Sequence, residues 1–304
     1  MAFNLTILGA NSAIPIGNRF PTSQIVEFNQ HKFMVDCGEG TQLQIRKNKI
    51  KLQGLKAIFI SHLHGDHYFG IFGLLGTMNL LGRTVPLQIF SPPGLKEIID
   101  LQMKVGNSGY EFDLNFIELN HGQSELIYED DIVEVSTIPL KHRIPTNGFL
   151  FREKPGKRKI NKFHIEEYKI PVSQINGIKE GNDFVADNGK IIPNAQITTD
   201  PPKAWSYAYC SDTKYSENII PVIKNVDVLY HEATFLKTEL KRAKNTGHST
   251  TAQAAKIAKM AEVGELIVGH YSARYKDLTS HLEETKEIFE NSHLAIEGKR
   301  FEYP

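Results

Sequence analysis

Four potential metal ligands stand within six residues at His62-Leu63-His64-Gly65-Asp66-His67, after the apolar run 55–60 and ahead of the glycine-broken apolar segment 68–81. Ala57-Ile58-Phe59-Ile60 reads as a buried strand, because it is a short, mostly β-favouring run bounded by polar residues. The histidines then sit just past its carboxyl end, where loops over rigid strand ends build sites in α/β proteins. Alternate positions put His62 and His64 on one side of an extended segment, and the turn through Gly65 brings Asp66 and His67 round as a second group. Three imidazoles and a carboxylate suit zinc, a borderline-soft ion that takes nitrogen and oxygen donors. A polar loop that merely opened a helix would need only Asp66, as a cap.

A chain of 304 residues can bury a large core, as one large α/β domain or two smaller ones. Lys+Arg 35 balances Asp+Glu 35, so no global positive field marks a nucleic-acid binder, and a polyanion would have to be held by a local patch. The two cysteines, Cys37 and Cys210, are too few for a disulfide scaffold, which agrees with a reducing, cytoplasmic compartment. Residues 1–5 lack the basic-then-apolar pattern of a signal peptide. No apolar run approaches the ~20 residues of a bilayer span, so a soluble protein with no membrane partner is expected.

Strand and helix signals alternate along the chain. They comprise a first strand at 5–9, a hairpin at 23–27 and 32–35, a helix at 41–49, a buried helix with glycine contacts at 69–81, a strand at 85–91, a helix at 94–105 and several strands between 116 and 151. This pattern predicts a layered α/β sandwich. Asp36 closes a strand ahead of the tight turn Cys37-Gly38-Glu39-Gly40, so it reads as a carboxylate that orients a ligand histidine.

Residues 152–203 differ in character: they carry Pro155, Pro171, Pro193, Pro201 and Pro202, a basic run at Lys154, Lys157, Arg158, Lys159 and Lys162, and a hairpin turn at Asn188-Gly189 between Phe184-Val185 and Ile191-Ile192. The stretch is expected to be an inserted arm projecting from the domain. Strands then end at Ser211-Asp212-Thr213, His231-Glu232-Ala233-Thr234 and Gly269-His270-Tyr271-Ser272. Thr250 and Gln253 make a capping box for a helix with Ala254, Ile257, Ala258 and Ala261 on one face, and Ser280 with Glu283 is expected to cap the last helix.

Of the twelve histidines, His62, His64, His67, His142, His231, His248 and His270 stand at strand ends or a helix start and can converge; His31, His121, His164, His281 and His293 lack that context. Asp212 is the natural bridging carboxylate between two ions. The succession Asp36, His62/His64/Asp66/His67, His142, Asp212, His270 resembles the ribonuclease Z family, the tRNA 3′-processing endonucleases of the metallo-β-lactamase superfamily, over nearly the whole length. His231-Glu232-Ala233-Thr234 and His248-Ser249-Thr250 resemble two further motifs that separate this family from β-lactamase, glyoxalase and lactonase relatives.

The resemblance implies a single domain, 1–304, with the metallo-β-lactamase αββα sandwich, the inserted arm 152–203 serving as a tRNA-binding exosite. It implies two Zn2+ per subunit, with Mn2+ the alternative: one ion on His62, His64 and His142, the other on Asp66, His67 and His270, bridged by Asp212. Asp66 would orient or deprotonate water, and His248, assisted by Glu232 and His231, would steady the phosphate or protonate the leaving 3′ oxygen. Such an enzyme cuts the 3′ trailer from precursor tRNA, leaves a 3′-OH on the tRNA and a 5′-phosphate on the trailer, and works as a cytoplasmic homodimer.

Two stretches depart from the family pattern. The arm lacks a Gly-Pro dipeptide near Ile170-Pro171-Val172-Ser173, which leaves Lys154, Lys157, Arg158, Lys159 and Lys162 as the candidate RNA grip. The family's Pro-x-Lys-x-Arg-Asn loop, which helps handle the CCA end, reads Pro15-Ile16-Gly17-Asn18-Arg19-Phe20, without the lysine or asparagine, which leaves Arg19 as its candidate RNA-binding residue. A small-molecule phosphodiesterase or another hydrolase on the same fold is the rival reading, against which the arm and the His248 motif argue. A silent RNA-binding module is a second rival, and it would have no need of seven matched donors.

Overall fold

The computed structural model describes residues 3–304. In the first part of the chain β1 (Phe3–Gly9), β2 (Ser23–Phe28) and β3 (His31–Cys37) form an antiparallel meander. β4 (Leu55–Phe59), β5 (Leu87–Ser91) and β6 (Leu114–Glu118) extend it in parallel, the connections carrying α1 (Thr41–Lys47), α2 (Gly65–Tyr68), α3 (Ile71–Leu80) and α4 (Leu95–Val105). β7 (Leu126–Glu129), β8 (Val133–Leu140) and β9 (Thr146–Glu153) open a second sheet.

The chain then divides into two compact units, Glu153–Ala204 and the rest of the described residues. The smaller unit contains β10 (Lys159–Ile160), α5 (Lys162–Glu167), α6 (Val172–Lys179), β11 (Phe184–Val185), β12 (Ile191–Ile192), α7 (Asn194–Ile197) and β13 (Thr198–Thr199). Its hairpin pairs Phe184 with Ile192 and Val185 with Ile191 around a three-residue turn, Asp187-Asn188-Gly189, in which Gly189 has φ 80° and the Ala186 N–H donates to the Lys190 carbonyl at 3.0 Å. That register is one residue away from the one a two-residue Asn188-Gly189 turn would set. Ile170, Ile178, Phe184, Ile192 and Ile197 bury together as its own small core, so this stretch is folded rather than a solvated loop.

In the larger unit β14 (Ser206–Cys210), α8 (Ile220–Ile223), β15 (Val228–Glu232), α9 (Leu240–Thr246), α10 (Thr251–Met260), β16 (Glu265–Gly269), α11 (Thr279–Lys286) and β17 (Ser292–Leu294) complete the second sheet, and β18 (Arg300–Tyr303) returns to the edge of the first beside β1. Two seven-stranded sheets result, in the orders β18-β1-β2-β3-β4-β5-β6 and β17-β16-β15-β14-β9-β8-β7.

The near-continuous apolar reading of β4 follows from burial on both faces. Ala57 and Phe59 face the core between the sheets, and Leu55, Ile58 and Ile60 face the helices α1, α3 and α4. Across the sandwich Phe59 meets Phe149 with ring centroids 5.3 Å apart and Phe33 meets Phe151 at 5.9 Å. On the outside of the second sheet, α10 buries Ala254, Ala255, Ile257 and Ala258, and its capping box of Thr250 and Gln253 is formed.

Two local expectations change. The segment 69–81 is not buried all round: α3 buries Ile71, Leu74, Leu75 and Met78, an i, i+3, i+4, i+7 stripe, while Leu80 is 87% exposed. A close glycine contact exists at Gly70, where a Cβ would lie 2.1 Å from the Gly38 carbonyl oxygen, but Gly76 meets open space. Ser280 and Glu283 do not cap the last helix, because α11 starts at Thr279, two residues earlier than a Ser280 cap would place it. Asp277 accepts from the Thr279 N–H and hydroxyl at 3.2 and 2.8 Å, which takes over the capping task.

His281 on α11 is fully buried between the rings of Tyr271 and Tyr275 at 5.1 and 4.7 Å. Burial, then the charge of Arg19, push its pKa down to about 4 against the weaker opposing pull of Asp277. A histidine whose folded pKa lies below its unfolded value of ~6.5 costs no stability at neutral pH, but below it the unfolded chain takes up the proton first. Urea unfolding midpoints should therefore fall between pH 6.5 and 4, and His281→Leu should make that fall shallower. Identical pH slopes for the two proteins would refute the assignment.

Candidate metal centre

Parallel order carries the chemistry to one place. β3 and β4 are parallel neighbours in the first sheet, and β14, β15 and β16 in the second, so Asp36, His62, Asp212, Glu232 and His270 all lie at or just past carboxyl ends. Asp36, Asp212 and His270 have φ of 55°, 55° and 59°, a left-handed conformation that non-glycine residues seldom adopt. Each such residue costs on the order of 1 kcal/mol or more, and the sharp turn it makes belongs to a functional strand end.

The imidazoles form two groups around Asp212. One oxygen, Oδ2, lies 3.6 Å from both His62 Nε2 and His142 Nε2; the other, Oδ1, lies 3.1 Å from His67 Nε2 and 3.0 Å from His270 Nε2. His64 joins the first group through Nδ1, 2.9 Å from His62 Nε2. Asp66 Oδ2 joins the second, 3.7 and 3.6 Å from the Nε2 atoms of His67 and His270. His62, His64, His142 and Asp212 converge closely enough to hold one cation, as do Asp66, His67 and His270.

Hydrogen bonds behind the rings decide which nitrogen faces inward. A carboxylate or carbonyl only accepts, so the nitrogen that contacts it carries the proton. His67 Nδ1 donates to Asp36 at 2.7 Å, and His142 Nδ1 donates to the Gly247 carbonyl at 2.8 Å. Their Nε2 lone pairs are thereby aimed at the cluster. His67 Nε2 and His270 Nε2 are buried and make no hydrogen bond, which is the state of an atom reserved for an ion. The donor set of imidazole and carboxylate fits zinc.

The electrostatics agree with a cation site. Burial raises Asp212, but His270, His67 and His62 outweigh it and hold the carboxyl well below its usual range. Burial likewise opposes charge on His270, yet Asp212 and Asp66 push it up to about 10. Burial and then the neighbouring His67 hold His62 well below its ordinary value. A second cluster, His31 with Asp130 and Asp131, has a different character, since Lys56 Nζ already neutralises Asp130 at 3.2 Å.

Glu232 is the second buried carboxylate at a strand end. It accepts from the Thr213 N–H at 2.8 Å, the Ser249 N–H at 3.1 Å, the Thr234 hydroxyl at 2.6 Å and His248 Nδ1 at 2.9 Å. His248 Nε2 is left for the cavity. Burial disfavours the imidazolium of His248, but Glu232 and then Asp212 overcome it and raise the pKa. His231 departs from the expected role: its Nδ1 bonds the Glu232 backbone carbonyl at 2.7 Å, and its ring does not line the cavity. Successive strand residues point to opposite faces, so Glu232 and His231 cannot both face the site.

A cavity of about 470 Å³ opens over the cluster, lined by His64, Asp66, His142, Asp212, His248 and His270 among others. Sequence reasoning missed Arg143, Phe69 and Phe235 on its wall. Adjacency to His142 was the available signal for Arg143. Of the basic residues expected to hold RNA, Lys157 instead pairs with Glu180 at 2.8 Å, and Arg158 bonds Thr198 at 2.7 Å and pairs with Asp200. Arg19 donates to the Tyr275 carbonyl at 2.6 Å. Lys159 and Lys162 are exposed, and Lys154 is half-buried.

Among known proteins, a family model described as Anti-Pycsar protein Apyc1 matches residues 3–151, just under half of the chain. Ribonuclease Z of Bacteroides thetaiotaomicron is 48% identical over 97% of this chain and 94% of its own length, and that of Cytophaga hutchinsonii is 46% identical over 99% and 96%. Human tRNase Z, short form, has the same fold, with a TM-score of 0.72 at 24% identity and 99% of each chain covered. The metallo-β-lactamase fold protein YhfI of Bacillus subtilis superposes with a TM-score of 0.70 at 18% identity over the full length of both chains. The sandwich is thus the metallo-β-lactamase fold, and by identity well above 30% along almost its whole length the chain belongs to the ribonuclease Z family.

Proposed function

We propose that this protein removes the 3′ trailer from precursor tRNA with two Zn2+ per subunit, leaving a 3′-OH on the tRNA and a 5′-phosphate on the trailer. The observation that carries the reading is Asp212, whose two carboxylate oxygens face two separate histidine groups, with His248 beyond them in the same cavity. His62, His64 and His142 would hold one ion, and Asp66, His67 and His270 the other. Bound there, two divalent ions supply charge neutralisation at the scissile phosphate and acidify water towards neutral pH.

The chain's own residues supply the rest. Asp66, fixed by the Ala13 N–H at 2.7 Å, is placed to orient water and accept its proton. His248, whose pKa Glu232 raises against the effect of burial, steadies the phosphate or protonates the leaving 3′ oxygen. His231 contributes strand packing beneath them. Asp36 locks His67 from behind. The unit 153–204 serves as the tRNA exosite through Lys154, Lys159 and Lys162, with Lys157 and Arg158 holding its local structure; Arg19, in the other unit, holds the Tyr275 carbonyl. We assign the enzyme to the cytoplasm as a homodimer; no helix among the described residues is long and apolar enough to cross a membrane.

The fold alone does not choose the substrate, since a diphosphatase of the PhnP family shares it with a TM-score of 0.65. Metal-loaded protein incubated with a precursor tRNA carrying a 3′ trailer should yield new ends within a few nucleotides of the acceptor stem; cleavage elsewhere, or none, would reject the proposal. His248→Ala should keep its zinc and lose roughly 100-fold or more in cleavage. Loss of zinc alongside activity would assign His248 to the metal instead. Deletion of 153–204 should raise KM for precursor tRNA far more than it alters hydrolysis of a small phosphodiester, whereas equal effects would make the unit a folding element.

A further inference from the structure

The second layer of the metal centre is built twice on one plan. At the first sheet, Asp36 takes His67 Nδ1–H directly at 2.7 Å and the Ser61 hydroxyl at 2.9 Å. At the second sheet, Glu232 takes His248 Nδ1–H directly at 2.9 Å and the Thr234 hydroxyl at 2.6 Å. Each hydroxyl then meets one more imidazole: Ser61 Oγ lies 3.0 Å from His62 Nδ1, with His67 Nδ1, whose proton goes to Asp36, beside it at 3.2 Å, and Thr234 Oγ1 lies 3.0 Å from His270 Nδ1.

A hydroxyl has one proton to give. Both spend it on a carboxylate, which can only accept, so each oxygen must receive a hydrogen from the imidazole behind it. That fixes Nδ1 as the N–H of His62 and of His270 and turns both Nε2 atoms towards Asp212. The two hydroxyls also join neighbouring strand ends, Ser61 linking β4 to β3 through Asp36 and Thr234 linking β15 to β16 through His270. Ser61, Thr234 and Glu232 are buried, so water cannot replace the missing partner cheaply.

We infer that Ser61 and Thr234 are paired positioning residues, each carrying the orienting effect of one buried carboxylate to one further metal-binding imidazole. The inference rests on the metal-centre reading above. Ser61 serves the group of His62, His64 and His142; Thr234 serves the group of Asp66, His67 and His270. Loss of either hydroxyl frees one ring to rotate or to take the other tautomer; without the Ser61 hydroxyl, Asp36 is still held by the Ser61 N–H and Tyr209 and still holds His67, so the ion on the freed ring's side is the one that loses affinity.

The test is zinc affinity by chelator competition, ion by ion, on Ser61→Ala and Thr234→Val, with Ser61→Thr and Thr234→Ser as hydroxyl-retaining controls. Each hydroxyl-free variant should bind one ion roughly 10- to 100-fold more weakly and the other normally, with the controls near wild type. In the zinc-loaded wild type, slowly exchanging imidazole N–H resonances should belong to Nδ1 of His62 and His270, and each should vanish in the matching variant. Two ions bound with unchanged affinity in both variants, or controls as weak as the hydroxyl-free forms, would overturn the inference alone. A wild type that binds no pair of zinc ions would overturn the centre itself, and the inference with it. Unfolding midpoints distinguish a variant that has lost its fold, in which case Thr234→Ser and Ser61→Thr decide between rescue and refutation.

Discussion

A buried carboxylate without partners is too costly to keep, and the architecture of this protein can be read as the arrangement that satisfies two of them. Asp36 receives the Ser61 N–H at 2.8 Å, the Ser61 hydroxyl at 2.9 Å, His67 Nδ1 at 2.7 Å and the Tyr209 hydroxyl at 2.6 Å. Tyr209 belongs to the second sheet, so a carboxylate of the first sheet is completed only when the sandwich closes. Glu232 is satisfied by Thr213, Thr234, His248 and Ser249, all from loops of its own half of the sandwich. Strand twist and parallel register matter here because they bring those donors to one end.

This arrangement separates two tasks that a single shell of ligands could not perform together. The inner nitrogens of His62, His67, His142 and His270 face Asp212, while their outer nitrogens are tied to a hydroxyl, a carboxylate or a carbonyl. Left-handed backbone at Asp36, Asp212 and His270 is the local strain that the surrounding core must hold in place. A cluster so organised has the donor set and the negative field that suit a cation, and the hydrogen bonds that fix its rings come from Asp36, Ser61, Thr234 and the Gly247 carbonyl behind them.

The unit 153–204 follows a different logic. Five apolar side chains close a small core, and several of its charges are spent inside it, Lys157 on Glu180 and Arg158 on Thr198 and Asp200. A basic run is therefore partly scaffolding. The proposed grip on a polyanion is the rest of it, exposed Lys159 and Lys162 with half-buried Lys154.

Much of this was legible in the sequence, since period-2 and period-3.6 patterns are local. The strands from Leu55 and from Ser206, the capping box of Thr250 and Gln253, the Asn188-Gly189 hairpin and the clustered donors at His62 to His67 are all decided by neighbouring residues in the chain. Long-range pairing was not legible. Which side of Asp212 each histidine faces, the turning away of His231 while Glu232 points in, the conversion of Arg158 into an internal contact, and the coupling of Ser61 to His62 and of Thr234 to His270 all depend on strand ends far apart in sequence. Residue types and spacing determined an α/β sandwich with clustered imidazole and carboxylate donors; only tertiary packing decided the direction of each proton, because a hydrogen bond's donor is settled by what stands on its other side.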